Sequence, residues 1–173
     1  MKTHVLIEQF DGDPAIFVQD DSTKIEGVIP RDLAAAARAA VADGAERIEL
    51  CGGMSVELAT EVIAAVGPSV EVRLNRYDYG SLELAAAYKE AYASGESIDA
   101  AFFYKASSTT ELRRVDFIGL VAGVADLSDL KARAREARAA GARMYELYAG
   151  WGIEAAALLR SLDSEPSPVG FID

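Results

Sequence analysis

Short apolar runs alternate along this chain with longer segments in which apolar residues recur every three or four positions. The short runs predict β-strands, and the recurring positions predict helices with one apolar face. Residues 33–41 have helical spacing after Pro30, which can open a helix, and Gly44 is expected to end that helix in the left-handed conformation. The strands predicted in the first half are residues 5–7, 25–29, 47–51 and 70–75, with an additional strand over 15–18.

Helical spacing also recurs in later segments. Ser55 is a suitable N-cap for a helix that continues to residue 66. Residues 127–140 and 153–162 predict helices in the second half, and the apolar face of residues 81–97 predicts a helix that connects the two halves. The strands predicted in the second half are residues 101–104, 117–124, 144–148 and 169–172.

Strands that alternate with helices predict an α/β fold with mostly parallel sheets and right-handed crossovers. Sheets of this kind are covered on both faces by helices, which accounts for continuous apolar runs such as Phe102-Phe103. Ligands in such folds bind beyond the carboxyl ends of the strands. We therefore expect a site in the segments that directly follow predicted strands, such as those after Leu50 and Leu147.

Two segments of the chain are similar to each other. Residues 32–57 and 129–154 align without a gap, and 13 of the 26 positions are identical. Ungapped similarity of this kind predicts a duplicated unit. We therefore expect two similar β/α repeats that form a pseudo-twofold fused dimer. The first repeat covers 1–80, the connecting helix 81–97, and a second, divergent repeat 98–173.

Composition argues against several classes of function. The net charge of −11 repels phosphate backbones, so no binding to nucleic acid is expected. No apolar stretch approaches the roughly 20 residues of a membrane span, and the N-terminal apolar run is too short for a signal peptide. We therefore expect a cytoplasmic protein without membrane partners. With one cysteine, Cys51, and one histidine, His4, the chain predicts neither an internal disulfide nor a metal site.

The segment after the strand 47–51 is the first candidate site. Gly52, Gly53 and Ser55 form a glycine turn before a helix, where exposed amides and the helix dipole favour an anion. Cys51 lies beside the helix start, a position in which a thiol can become nucleophilic. The alternatives are a turn that only requires glycine and a buried, inert cysteine. The turn matches neither the Walker loop nor the dinucleotide fingerprint, and no cofactor is expected.

Glu49 and Glu146 occupy equivalent positions in the two repeats, each within an apolar strand. A buried carboxylate is costly unless it is paired or protonated, so each needs a partner. Arg73 in the neighbouring strand is the expected partner of Glu49. The second repeat has Gly170 at that position, so Glu146 must find another partner, for example across the seam between the repeats. The functional interpretation of Glu49 is a general base, and the alternative is a structural ion pair or a strand end open to water.

Polar residues follow the strand 70–75. Arg73, Arg76 and Asp78 form a cluster, and two arginines in an acidic protein are suited to clamp a carboxylate or a phosphate. Simple solvation at the surface is the alternative.

In the second repeat, Trp151 is either an aromatic wall of a site or a residue of the core or the seam.

The motifs around the glycine turn resemble those of a known family. The segment from Gly44 to Gly53, followed by the triplet Arg76-Tyr77-Asp78, is similar to an uncharacterised bacterial family, domain-of-unknown-function family 6506. The resemblance covers most of residues 1–80 and, more loosely, 98–173. It supports the α/β fold and implies no reaction. The second repeat departs from the motif, with Tyr148 in place of the cysteine and without the triplet. If the motif marks a site, the second repeat has lost it and serves as a structural partner.

The candidate residues together predict a protein that binds a small anionic molecule near the seam between the repeats. A cofactor-independent acid–base reaction of the isomerase or lyase type suits Glu49 as the base, with Arg76 or the glycine-turn amides holding the anion. Whether the protein is an enzyme is left open. The alternative is a non-catalytic structural or assembly role, in which the duplicated units present edges or helix faces for self-association.

Overall fold

The computed structural model describes residues 1–9, 15–96, 99–116, 118–162 and 164–172. The chain divides into two compact units, Met1–Asn75 and Arg76–Asp173, and each has its own sheet. The division falls a few residues before the predicted end of the first repeat at residue 80. The predicted limits of the repeats stay a prediction, because a compact unit and a duplicated unit need not coincide.

In its described residues, the first unit is a mostly parallel sheet with two α-helices. Its elements are β1 (Thr3–Glu8), β2 (Ala15–Gln19), β3 (Thr23–Val28), α1 (Leu33–Ala42), β4 (Arg47–Leu50), α2 (Val56–Val66) and β5 (Glu71–Leu74). The strand order is β2-β3-β1-β4-β5, in which β2 is antiparallel to β3 and the other neighbours are parallel. This arrangement places β1 and β4 at the centre of the sheet.

Local sequence signals determine where the helices of the first unit begin and end. Pro30 opens a short 3₁₀ turn that leads into α1, and Gly44 follows α1 with a φ of +87°. Residues other than glycine are strained at such an angle. Ser55 caps α2 by accepting the N–H of Leu58 at 3.3 Å. These helix ends confirm the predictions made from Pro30, Gly44 and Ser55.

Both faces of the central strands in the first unit are buried. Val5 and Leu6 are consecutive on β1 and therefore point to opposite faces, and neither is exposed to solvent. Ile48 and Leu50 on β4 are equally buried. An apolar run without polar alternation is expected for a strand that is covered on both sides.

The second unit repeats this plan and adds two elements at its start. Its elements are β6 (Arg76–Tyr77), α3 (Leu82–Ala93), β7 (Asp99–Lys105), β8 (Arg113–Val115), β9 (Gly119–Val124), α4 (Leu127–Ala139), β10 (Ala142–Tyr148), α5 (Ile153–Arg160) and β11 (Val169–Phe171). The strand order is β6-β11-β10-β7-β9-β8, with antiparallel pairing of the two edge strands β6 and β8 and parallel pairing elsewhere. The predicted α/β class with mostly parallel sheets is confirmed.

Helices α4 and α5 pack on one face of the second sheet. Leu130 of α4 and Leu159 of α5 are buried in one cluster with Phe103, Tyr145 and Leu147 of the strands. The rings of Phe103 and Tyr145 are stacked at 6.2 Å between centroids. The intervening residues of β10 point to the opposite face, which brings Glu146 out of this apolar cluster.

The two sheets have the same strand order when β7–β11 are compared with β1–β5. The strand register also corresponds. Glu49 is opposite Val5 and Arg73, and its equivalent Glu146 is opposite the residues at the equivalent positions, Phe102 and Gly170. These correspondences support the predicted duplication. The duplication and the pseudo-twofold fused dimer stay predictions.

Two short strands were not predicted from the sequence. Strands β6 and β8 contain arginines and lie at the edges of the second sheet, where one side of the strand remains unpaired. Edge strands are often short and charged, so they lack the apolar pattern on which the prediction depends. A helix, α3, lies within the predicted segment 81–97, and its role as a connection between repeats stays a prediction. The predicted strand start at Phe117 lies outside the described residues.

Candidate functional site

The carboxyl ends of β1, β4 and β5 lie at one edge of the first sheet, because these neighbours are parallel. Cys51 directly follows β4, and its N–H donates to the Leu6 carbonyl at 3.1 Å. Asn75 follows β5 and donates its N–H to the Leu50 carbonyl at 2.8 Å. These hydrogen bonds continue the pairing between strands past the strand ends. They hold the start of the predicted glycine turn in place.

Cys51 and Ser55 are both engaged within the structure of this turn. Cys51 is 4% exposed, and its Sγ atom accepts the N–H of Glu8 at 3.2 Å. The Ser55 hydroxyl caps α2, while Gly52 is half-buried and Gly53 is exposed. A buried thiol and a capping hydroxyl favour the structural alternatives. The catalytic role of Cys51 and the binding roles of the other three residues stay predictions.

Glu8 at the end of β1 is a candidate residue that the sequence reasoning missed. A Cβ atom on Gly53 would lie 2.9 Å from Glu8 Oε2, so the glycine leaves room for this carboxylate. Burial raises the pKa of Glu8 above its ordinary value. A half-buried carboxylate with a raised pKa at a strand end is suited to act as a general base. The signal in the sequence was its place directly after the apolar run 5–7.

Glu49 is fully buried, and its ion-pair partner is Arg47, which precedes it by two residues on the same strand. The distance from Arg47 Nε to Glu49 Oε1 is 2.8 Å, although the N–H is not aligned for a hydrogen bond. Arg73 was the expected partner. It stands opposite Glu49 in the register, but its side chain is half exposed and pairs with Glu71 at 2.6 Å. The geometry favours a structural ion pair, and the role of Glu49 as a base stays a prediction.

Arg76 and Asp78 belong to the second unit. Arg76 is exposed on β6, whereas both oxygens of Asp78 accept from Arg160 Nη1 at 2.7 Å. Arg160 Nη2 also donates to the Gly80 carbonyl at 3.0 Å. A hydrogen bond from Ser81, followed by the charge of Arg160, lowers the pKa of Asp78. These contacts tie the segment after β6 to α5, and the binding roles of Arg76 and Asp78 stay predictions.

Glu146 on β10 is 2% exposed and accepts hydrogen bonds from two phenols. Tyr77 on β6 donates to Oε1 at 2.5 Å, and Tyr148 donates to Oε2. The ring of Tyr148 is stacked with Phe102 at 6.4 Å between centroids. Tyr77 falls within the predicted first repeat but within the second compact unit. One partner of Glu146 therefore comes from the segment that precedes α3, and the other from its own strand.

A cleft of about 750 Å³ lies at the carboxyl edge of the second sheet. It opens where β7, β9 and β10 end, and the first turns of α4 and α5 border it. In the repeat alignment, Gly150 and Trp151 of this cleft correspond to Gly53 and Met54. The second repeat was expected to have lost the site, yet a cleft borders its turn. The residues that line the cleft are Lys105, 125–128 and 150–155.

Two groups at this cleft favour an anion. The Lys105 ammonium lies 5.3 Å from the centroid of the Trp151 ring, and within the described ranges no ion pair of this lysine was found. Helix α5 starts after Gly152, which provides no side-chain cap for the first amides of the helix. Helix α4, by contrast, is capped by Asp126, which accepts the N–H of Asp129 at 2.9 Å.

Trp151 forms part of both the core and the cleft wall. It is 6% exposed, and it packs in the apolar cluster under α4 and α5. Its indole N–H has no acceptor among the residues that the structure describes. An unpaired buried donor is costly. The preceding residue Ala149 has a φ of +55°, which is strained for a residue with a side chain.

Loss of Arg47 should destabilise the first unit more than loss of Arg73. We expect Arg47→Met to lower the free energy of unfolding by about 3–5 kcal/mol, because it leaves the Glu49 charge buried without this partner. Arg73→Met is the matched control and should cost below about 1 kcal/mol, since its ion pair is half exposed. Combining Arg47→Met with Glu49→Leu should recover most of the loss. Urea unfolding measures these values, and equal losses for the two arginine variants would contradict the assignment.

Tyr77→Phe removes a phenol that donates to the buried Glu146. We expect the free energy of unfolding to fall by about 1–3 kcal/mol, because the carboxylate loses a hydrogen bond that water cannot readily replace. Tyr79→Phe is the control, since the Tyr79 side chain is 92% exposed, and it should change stability by less than about 0.5 kcal/mol. Urea unfolding followed by circular dichroism distinguishes the two. The assignment fails if Tyr77→Phe is as stable as the parent protein.

None of the helices in the described ranges has the length and apolar character needed to cross a bilayer.

Comparison with known proteins matches part of the chain to a family. No curated protein and no protein of solved structure is significantly similar to the chain. Residues 19–90 match the model of a family of unknown function (DUF6506), over a region that extends from the end of β2 into α3. Over this region the chain is similar to that family, as the motifs around the glycine turn predicted.

Proposed function

We propose that this protein binds a small organic anion and that the cleft of the second unit holds it. One observation carries the proposal. The Lys105 ammonium and the start of α5, which has no side-chain cap, meet at the same cleft. The positive end of a helix dipole and an ammonium group both attract negative charge, and together they favour an anion over a neutral molecule.

The size and place of the cleft support a small-molecule ligand. Pockets that hold small molecules are typically about 300–1,000 Å³, and a volume of about 750 Å³ falls within this range. The cleft also lies beyond the carboxyl ends of parallel strands, where α/β folds bind ligands. Trp151, Leu127 and Ile153 add apolar walls to the charged groups. A ligand with both an anionic and an apolar part would contact all of these surfaces.

Thermal unfolding with acetate, hexanoate, phenylacetate and inorganic phosphate tests this proposal. A probe at 100 times its dissociation constant should raise the free energy of unfolding by about 2.7 kcal/mol. Lys105→Met should weaken binding about tenfold or more, because a charge-assisted contact is lost. Lys131→Met is the matched control, since Lys131 is exposed on α4 and does not line the cleft.

Two results would contradict binding at this cleft. One is that none of the four probes stabilises the protein, and the other is that Lys105→Met binds as tightly as Lys131→Met. The first result would favour the alternative, a structural or assembly role of the duplicated units without a ligand.

A second candidate function is an acid–base reaction of the isomerase or lyase type at the carboxyl edge of the first unit. The observation that favours it is the Glu8 carboxylate, which has a raised pKa and lies against Gly53. Glu49 is less suited to be the base, since it is fully buried and paired with Arg47. In this proposal Glu8 removes a proton from the substrate, and amides of the turn at Gly52 and Gly53 hold its anionic group.

Deuterium exchange into 2-oxobutanoate, followed by NMR in D₂O, tests the acid–base proposal. A base acts only when it is deprotonated, so the exchange rate should rise with pH through the raised pKa of Glu8. Glu8→Gln should abolish exchange, and Glu61→Gln, which alters an exposed acid on α2, should retain it. Absence of exchange in the parent protein, or exchange that persists in Glu8→Gln, would argue against this function.

A further inference from the structure

We infer that the ligand of the second-unit cleft is a monocarboxylate with an apolar body rather than a phosphate. This inference rests on the proposed function and adds the chemical class of the ligand to it. The charge balance, the hydrogen-bond donors and the apolar walls of the cleft each contribute to the assignment.

The charges that line the cleft disfavour a ligand with two negative charges more than a ligand with one. Among the described lining residues, Lys105 is basic, whereas Asp126 and Glu154 are acidic. A phosphate monoester carries almost two negative charges near neutral pH, and the two acidic side chains would repel it. A carboxylate carries one charge, so these acidic side chains repel it less, and it can still pair with the Lys105 ammonium.

The donors at the cleft are few, as a carboxylate requires. The first amides of α5 have no side-chain cap. With Lys105, these groups are sufficient for two carboxylate oxygens. Phosphate presents three strong acceptor oxygens, and typical phosphate sites use several backbone amides with an arginine or lysine. The described lining contains no arginine that would complete such a site.

The walls of the cleft are suited to an aliphatic chain or an aromatic ring. Leu127 and Ile153 are 40% and 63% exposed, which is high for large aliphatic side chains. Both lie in the first turns of the helices that border the cleft, and Trp151 also lines it. An apolar ligand body would remove these side chains from water, which is favourable in proportion to the area covered.

Calorimetric titration with four probes of matched structure tests the inference: hexanoate, hexyl phosphate, 1-hexanol and acetate. We expect hexanoate to bind at least tenfold more tightly than each of the other three. Ile153→Ser should weaken hexanoate several-fold and leave acetate unchanged, because only hexanoate reaches the apolar wall. Glu154→Gln should reduce the preference for hexanoate over hexyl phosphate, because it removes one of the repelling charges. The unfolding transition of each variant without ligand shows that it is folded.

The outcomes separate this inference from the proposed function. If hexyl phosphate binds as tightly as hexanoate or more tightly, the carboxylate assignment is wrong while anion binding stands. If acetate binds as tightly as hexanoate, the inference that the ligand has an apolar body is wrong. If 1-hexanol binds as tightly as hexanoate, or if no probe binds, the proposed function fails together with this inference.

Discussion

Hydrogen bonding between parallel strands brings the carboxyl ends of neighbouring strands to one edge of each sheet. In the first unit this edge gathers Glu8, Cys51 and Asn75, which are far apart in the sequence. In the second unit it gathers Lys105 and Trp151 with the first turns of α4 and α5. Strand direction thus determines which side chains can act together. The central strands bury apolar side chains on both faces, and this burial stabilises the arrangement.

The buried glutamates show how two similar frameworks accommodate the same costly group by different contacts. Glu49 is balanced by Arg47 on its own strand, whereas Glu146 is held by the phenols of Tyr77 and Tyr148. An arginine supplies an opposite charge, while phenols supply hydrogen bonds without charge. Equivalent positions with equivalent register therefore do not imply equivalent chemistry. This difference fits the departure of the predicted second repeat from the motif of the first.

The family match and the cleft fall in different parts of the chain. Residues 19–90 match the family, whereas the residues that line the cleft lie between 105 and 155. Ligand binding at the cleft would therefore belong to the part of the chain that the family model does not cover. Acid–base chemistry at Glu8 would instead belong to the unit that contains most of the match. The two proposed functions are physically independent, since they use different residues in different compact units.

The sequence by itself determined the α/β class, most of the elements and the helix ends at Pro30, Gly44 and Ser55, because periodicity and capping depend on residues a few positions apart. It also singled out both buried glutamates. Arg47 and Tyr148 lie two positions from these glutamates on the same strands, whereas the tertiary structure alone decided the contacts with distant segments and the positions of the other charged groups. The contact of Glu8 with Cys51 spans 43 residues and that of Tyr77 with Glu146 spans 69, and no local pattern specifies such pairings. The cleft likewise forms only where the ends of three strands and two helices meet, so its existence depends on packing between distant segments.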